Sequence, residues 1–247
     1  MGSSERSNLK EKITPFLAMT QADLEGMVKS KIVWGWIVAA LFLEVTRSLS
    51  SGTMGASFTI TEGLSDFIFI WSMIIIGITG SAVSSESGEL ADSLLSKAVK
   101  RHEYILAKFC SRVALVLTIY LGISTVLAGL TMRIGVNDIE IYGLSFSILA
   151  VALVLIMLTT MGVTFSTIFP NTIVSIVALL VVWYSMTFFF SLIDEIKFLS
   201  PSYLIGELPK IIQGNWSGTE WKIVSGFSLM CIAFLAVSLL YFSRKDV

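Results

Sequence analysis

Apolar residues along the chain gather into runs of about 20, separated by short polar stretches. A helix needs about 20 apolar residues to cross a bilayer, since it covers roughly 30 Å of hydrocarbon at ~1.5 Å per residue. Five segments reach or nearly reach that length: residues 67–83, 113–132, 144–168, 172–193 and 223–242. Residues 32–49 form a sixth, weaker candidate, because Glu44 and Arg47 interrupt it. The pattern predicts an all-α integral membrane protein with six transmembrane helices.

Two stretches outside the spans are also patterned. Residues 13–31 alternate apolar and polar positions at helical spacing, which predicts an interfacial amphipathic helix leading into the first span. We therefore divide the chain into an N-terminal segment, 1–31, and a six-span transmembrane domain, 32–247. Residues 194–221 mix apolar pairs with two prolines and three glycines, which predicts short helices on the outer surface.

Composition and charge agree with lipid as the solvent. Hydrophobic residues make up 55% of the 247-residue chain and charged residues only 14%, with a mean hydropathy of +0.83. Soluble domains carry about 25% charged residues, which they need to cover their outside. The formal net charge is −1 and the basic residues form no patch, so we expect membrane lipid around the protein and no nucleic-acid partner.

The distribution of Lys and Arg predicts how the chain is oriented. Short cytoplasmic loops of membrane proteins carry an excess of these residues. With both termini in the cytoplasm, 12 of them fall on the inner side and 5 on the outer side, and the inverted topology exchanges the two numbers. We therefore expect both termini to be cytoplasmic, with residues 84–112 as an inner loop and residues 194–221 outside.

The sequence predicts no catalytic, cofactor-binding or metal site. It contains no GxxxxGK[ST] phosphate loop, so any ATP that drives this protein must bind to another polypeptide. His102 is the only histidine and the two cysteines, Cys110 and Cys231, are far apart, which leaves too few ligands for zinc, haem or copper. The spans also lack paired carboxylates or a nucleophile with a base, which disfavours an intramembrane enzyme.

Glu44 and Arg47 form the one strong charge pair near a span. They are three residues apart on one helical face, so each can partly neutralise the other. One interpretation is a polar element of a transport path, and the other is an ion pair near the outer interface that ends the helix. We favour the second, because the pair lies at the predicted outer end of the first span.

The inner loop 84–112 combines an apolar face with charged flanks. Leu90, Leu94 and Leu95 would share one face of a short helix that starts near Gly88. Acidic residues precede this face and basic residues follow it, an arrangement that suits the helix macrodipole. An apolar face on a segment in water needs a partner to cover it. The alternative is a solvated, charged connector.

The same loop contains a spaced set of residues: Glu86, Gly88, Leu94, Leu95, Arg101 and Lys108. This set resembles the motif that follows the second span in permease subunits of type-2 ABC exporters: Glu, Gly-Thr, Leu-Leu, Pro, Arg and a Lys opening the third span. The chain departs from it at Glu89, where Thr is usual, and at Ala98, where Pro is usual. The six-span layout and the tail at 244–246 fit the same family.

The resemblance implies a permease subunit in the plasma membrane of a prokaryote. Two such subunits, as a homodimer or a heterodimer, would line a path for a hydrophobic or amphipathic substrate. Separate ABC ATPase subunits would bind ATP and Mg²⁺ and drive export. The implied ATPase-coupling residues are Glu86, Gly88, Glu89, Leu90, Leu94, Leu95 and Arg101. The alternative function is that of a membrane scaffold or assembly protein that transports nothing.

Overall fold

The structure is a computed structural model. It describes the backbone of residues 3–52, 55–86, 101–136 and 138–244, and the side chains of residues 16–52, 55–85, 102–136 and 138–242. Its α-helices are α1 (Ser3–Val28), α2 (Lys31–Ser50), α3 (Ala56–Phe69), α4 (Ser72–Gly80), α5 (Arg101–Ile134), α6 (Ile141–Ile168), α7 (Thr172–Phe189), α8 (Pro201–Ile212) and α9 (Glu220–Arg244). Short 3₁₀ turns lie at Ser84–Glu86, Phe190–Leu192 and Lys197–Leu199. No β-strand occurs within the described residues.

Six segments are long and apolar enough to cross a membrane, which confirms the all-α, six-span prediction. The first span is α2, and the second consists of α3 and α4. The third and fourth spans are α5 and α6, the fifth is α7 extended to Leu192, and the sixth is α9. The second span begins at Ala56 rather than at 67, because its first turns are too polar for an apolar run to reveal. The inner loop was expected to continue to 112, but α5 already begins at Arg101.

Local sequence explains where several helices begin and end. The Asn171 side chain accepts hydrogen bonds from the backbone N–H groups of Ile173 and Val174, which caps the N-terminus of α7. Helix α6 ends at Ile168, where Phe169 adopts an extended conformation. Proline follows at position 170, and the residue before a proline is disfavoured in the helical region.

The chain crosses the bundle six times and returns to the end from which it started. At that end, called here the α1 end, the rings of Tyr104 and Phe242 stack with centroids 5.9 Å apart, near the start of α5 and the end of α9. The opposite end, called here the α8 end, carries α8 and the turns that follow α2 and α5. Helix α6 lies at the centre and contacts α3, α4, α5, α7, α8 and α9.

Three spans at the periphery expose large apolar side chains. Phe42 on α2, Ile173 on α7 and Leu229 on α9 are 74%, 72% and 69% exposed. Apolar surfaces of this extent are unfavourable in water and are covered by hydrocarbon in a membrane. By contrast, α6 buries most of its length, including Val154 and Leu155.

Helix α8 packs on the start of α6 with close backbone contact. The Glu140 N–H donates to the Ile212 carbonyl oxygen at 2.8 Å. A Cβ atom at Gly143 would lie 1.9 Å from the carbonyl oxygen of Ile211, so glycine alone fits this position. The predicted short helices of 194–221 are therefore one helix, α8, and a 3₁₀ turn, which lie across the end of the bundle.

Asp138, in the turn between α5 and α6, links two helices at the α8 end. Its carboxylate accepts hydrogen bonds from the Ser57 N–H at 2.8 Å, from the Ser57 hydroxyl, and from Gln213 Nε2 at 3.2 Å. Partial burial raises the pKa of this carboxyl, but the hydrogen bonds from Ser57 and Gln213 outweigh burial and leave the pKa below its usual value. Asp138 thus holds the start of α3 to the end of α8.

Candidate functional site

The predicted coupling segment lies mostly outside the described residues. Gly88, Glu89, Leu90, Leu94 and Leu95 belong to the undescribed stretch 87–100. For Glu86 and Arg101 the backbone is described and the side chain is not. The proposed apolar face therefore stays a prediction, and the structure describes the elements on either side of it.

On the N-terminal side of this segment, the chain is held to α6 and α7. Ser166 Oγ on α6 accepts hydrogen bonds from the backbone N–H groups of Val83 at 2.7 Å and Ser84 at 2.9 Å. The Ser84 hydroxyl donates to Thr172 Oγ1 at 3.1 Å, where α7 begins. These bonds satisfy the backbone N–H groups at the start of the 3₁₀ turn that follows α4, so the exit from the second span is fixed in place.

On the C-terminal side, the start of α5 packs in a small apolar cluster. Tyr104 and Ile105 lie there with Val83, Val163 and Phe242, which are buried residues from α6, α9 and the end of the second span. A displacement of the loop would therefore be transmitted to three spans at once. Packed interiors resist gradual deformation, so the connected elements would move together.

A group of charged and polar side chains attaches α1 to α5. We call it the Asp23 cluster: Asp23, Lys108, Ser111 and Arg112. Asp23 Oδ1 lies 2.8 Å from Lys108 Nζ, while Oδ2 contacts Arg112 Nη1 and the Ser111 hydroxyl. The Asp23, Lys108 and Arg112 side chains are 12%, 5% and 8% exposed. Removing the Asp23 carboxylate would take away the ion-pair partner that the structure shows for the buried Arg112 guanidinium, which is strongly unfavourable.

The Glu44 and Arg47 pair belongs to a larger group than the sequence indicated, the Arg47 cluster: Glu44, Arg47, Glu62 and Asp66. Arg47 Nη1 lies 2.9 Å from Glu44 Oε2, and Nη2 lies 2.5 Å from Asp66 Oδ2. Arg47 Nε is 3.8 Å from Glu62 Oε2, too far for a hydrogen bond. One guanidinium group is thus surrounded by three carboxylates.

The Arg47 cluster extends from the last turn of α2, which contains Arg47, to Asp66 within the second span. At ~1.5 Å per residue, Glu44 is about 9 Å from the end of α2 at Ser50, and Asp66 is about 15 Å from the start of α3 at Ala56. The predicted first span, 32–49, agrees with α2, which ends at Ser50 and has Arg47 in its last turn. Glu44 is fully buried against α3, where a Cβ at Gly63 would lie 2.6 Å from Glu44 Oε2.

The second span is broken directly beyond Asp66. The Asp66 carbonyl oxygen accepts from the N–H groups of both Ile70 at 2.8 Å and Trp71 at 2.9 Å, which widens one turn and separates α3 from α4. Trp183 Nε1 then donates to the Ile68 carbonyl at 3.3 Å, and the Tyr184 hydroxyl donates to the Phe69 carbonyl at 2.6 Å. Side chains of α7 thus satisfy the backbone groups that the break sets free.

The interpretation of the sequence missed Glu62 and Asp66, because apolar runs placed their segment outside the membrane. Their spacing of four residues, with Arg47 and Glu44 on the preceding helix, is the signal that could have revealed them. No group of three His, Cys, Asp or Glu side chains in the described part of the chain is arranged as a metal site.

No protein-family model matches the sequence, and a search of curated proteins finds no significant match.

Proposed function

We propose that this chain is the transmembrane permease subunit of an ATP-driven ABC transporter. It would export a hydrophobic or amphipathic substrate together with a second permease subunit, and separate ATPase subunits would supply the energy. We place it in a prokaryotic plasma membrane with both termini in the cytoplasm. The proposal is supported above all by the motif of the inner loop, which runs from Glu86 through Leu94 and Leu95 to Arg101 and Lys108.

The surroundings of Lys108 support this proposal. In the permease pattern a Lys opens the third span, and here Lys108 is buried and paired with Asp23 of α1. Helix α1 therefore lies beside the start of α5, next to the loop on which an ATPase would act. A force applied to the loop would reach α1 through this ion pair, and α4, α6 and α9 through the contacts of Val83, Ser84 and Tyr104.

The second candidate function is a membrane scaffold that binds partners and transports nothing. It shares the fold and the absence of a phosphate loop in the sequence, and differs only in whether an ATPase is engaged. Co-purification with a protein that carries a GxxxxGK[ST] loop, and ATP turnover that depends on this chain, would favour the permease.

The decisive variant replaces both loop leucines with aspartate. Leu94→Asp with Leu95→Asp touches no span, so expression and membrane insertion should be unchanged. Charges placed in a contact that excludes water cost several kcal/mol, so the variant should no longer retain the ATPase in a pull-down followed by mass spectrometry. Leu94→Met with Leu95→Met keeps the apolar volume and serves as the matched control. If the aspartate variant retains the ATPase and couples ATP hydrolysis to export as the wild type does, the permease proposal loses its main support.

A further inference from the structure

The Arg47 cluster carries an excess of negative charge. Three carboxylates, on Glu44, Glu62 and Asp66, surround the single guanidinium group of Arg47. No other Lys, Arg or His of the described residues forms an ion pair with any of the three. Uncompensated charge inside a span is unfavourable, and such residues commonly mark a path or a binding site.

Glu44 provides a second, independent indication of a missing partner. Its side chain is completely buried and its Oε2 atom contacts Arg47, whereas Oε1 has no hydrogen-bond partner. Buried polar atoms without a partner are rare in folded proteins. Arg47 therefore serves Glu44 and Asp66 at the same time, and one oxygen of the buried Glu44 carboxylate is left without a donor.

Glu62 is the member of the cluster that a ligand can reach. Its side chain is 48% exposed, and at ~1.5 Å per residue it lies about 9 Å along α3 from Ala56, within the span. Phe58 and Phe69 are 48% and 38% exposed and lie four and seven residues from Glu62, on the same face of α3. An accessible carboxylate is thus bordered on both sides by exposed aromatic rings.

We propose that this face of α3 binds a lipophilic cation from the membrane. The apolar body would lie on Phe58 and Phe69, and the positive centre would face Glu62 and Asp66 and supply the charge that Arg47 alone does not. The idea that this cation is the exported substrate rests on the function proposed above. The binding of the cation to α3 does not depend on that function. A proton on Glu44 would remove one negative charge, but it would leave the exposed Glu62 between the two rings without a role.

Binding is tested with two ions of the same shape and opposite charge. The full-length protein in lipid nanodiscs is dialysed against tetraphenylphosphonium or tetraphenylborate, and binding to empty nanodiscs is subtracted. Tetraphenylphosphonium should bind saturably, and Glu62→Gln should weaken its binding about tenfold, because a partly buried ion pair is lost. Glu62→Asp, which keeps the charge, should stay within about threefold of the wild type on the same scale. Tetraphenylborate should show no saturable binding.

Glu195→Gln is the matched control, since it removes the same charge from an exposed side chain outside the spans. Its affinity for tetraphenylphosphonium should equal that of the wild type. Equal affinity in Glu62→Gln and in the wild type would overturn the inference, as would saturable binding of both ions. If Glu62→Gln binds the cation as the wild type does, and the stability of the wild type depends on pH in a way that Glu44→Gln abolishes, the cluster is assigned to a proton instead. The assay contains no ATPase, so failure of the proposed transport function would not alter its result.

Discussion

The Asp23 cluster gives the sharpest test of how α1 is attached to the bundle. Asp23→Asn keeps the size of the side chain and can still accept a hydrogen bond from Ser111, but it removes the only carboxylate that the structure places on both Lys108 and Arg112 among the described side chains. The variant therefore leaves the nearly buried Arg112 guanidinium facing a neutral amide. Asp194→Asn is the matched control, because Asp194 pairs with Lys197 at 2.9 Å with its side chain 90% exposed.

The magnitude of the effect follows from burial. Removing one partner of a buried ion pair costs about 3–5 kcal/mol, but the amide oxygen that replaces the carboxylate can still accept a hydrogen bond from Arg112, so we expect about 2–3 kcal/mol here. In a chain of this size each kcal/mol shifts the melting temperature by about 2–4 °C. Asp23→Asn should therefore lower the melting temperature by about 4–12 °C, whereas an exposed pair contributes little and Asp194→Asn should leave it unchanged.

The two cysteines of the chain make the measurement simple. Cys110 and Cys231 lie within α5 and α9 and are partly buried, so a thiol-reactive fluorescent dye reports unfolding of the detergent-solubilised protein on heating. A second substitution, Arg112→Gln in the Asp23→Asn background, should recover part of the loss, because one unpaired cation is removed. Equal melting temperatures for the Asp23→Asn and Asp194→Asn variants would refute the reasoning and show that apolar contacts alone hold α1.

Two further predictions concern the α8 end. Gly143→Ala should cost about 1–3 kcal/mol, because its Cβ would meet the backbone of α8, whereas Gly122→Ala has open space around it and should be neutral or slightly stabilising by the same thiol assay. For Asp138 the pKa is lowered in the folded state, so its contribution to stability is present above the ordinary pKa of about 4 and is lost as the pH falls through the lowered value. The difference in melting temperature between the wild type and Asp138→Asn should therefore be present at neutral pH and vanish in acid. The same difference at both pH values would contradict it.

Much of the fold could be predicted from the sequence because lipid offers no hydrogen-bond partners. Each span must therefore be a helix that satisfies its own backbone groups and exposes apolar side chains. That requirement produces long apolar runs, and the runs around 144–168 and 172–193 agree closely with α6 and α7. The same reasoning fails for Ala56–Asp66, where polar residues lie on a helix that is buried against its neighbours. A hydropathy pattern indicates whether a segment is apolar enough to face lipid. It does not indicate that a neighbouring helix, rather than lipid or water, covers polar residues.

The sequence by itself determined the class of the protein, the number of spans and the absence of a phosphate loop, since these depend on composition and on neighbouring residues. Only the tertiary structure decided which charges meet. Arg47 pairs with Asp66 of the next span, and Asp23 pairs with Lys108, 85 residues away, because α1 packs against α5. In a span an unpaired charge is too unfavourable to leave in place, so the helices pack where charges of opposite sign can meet.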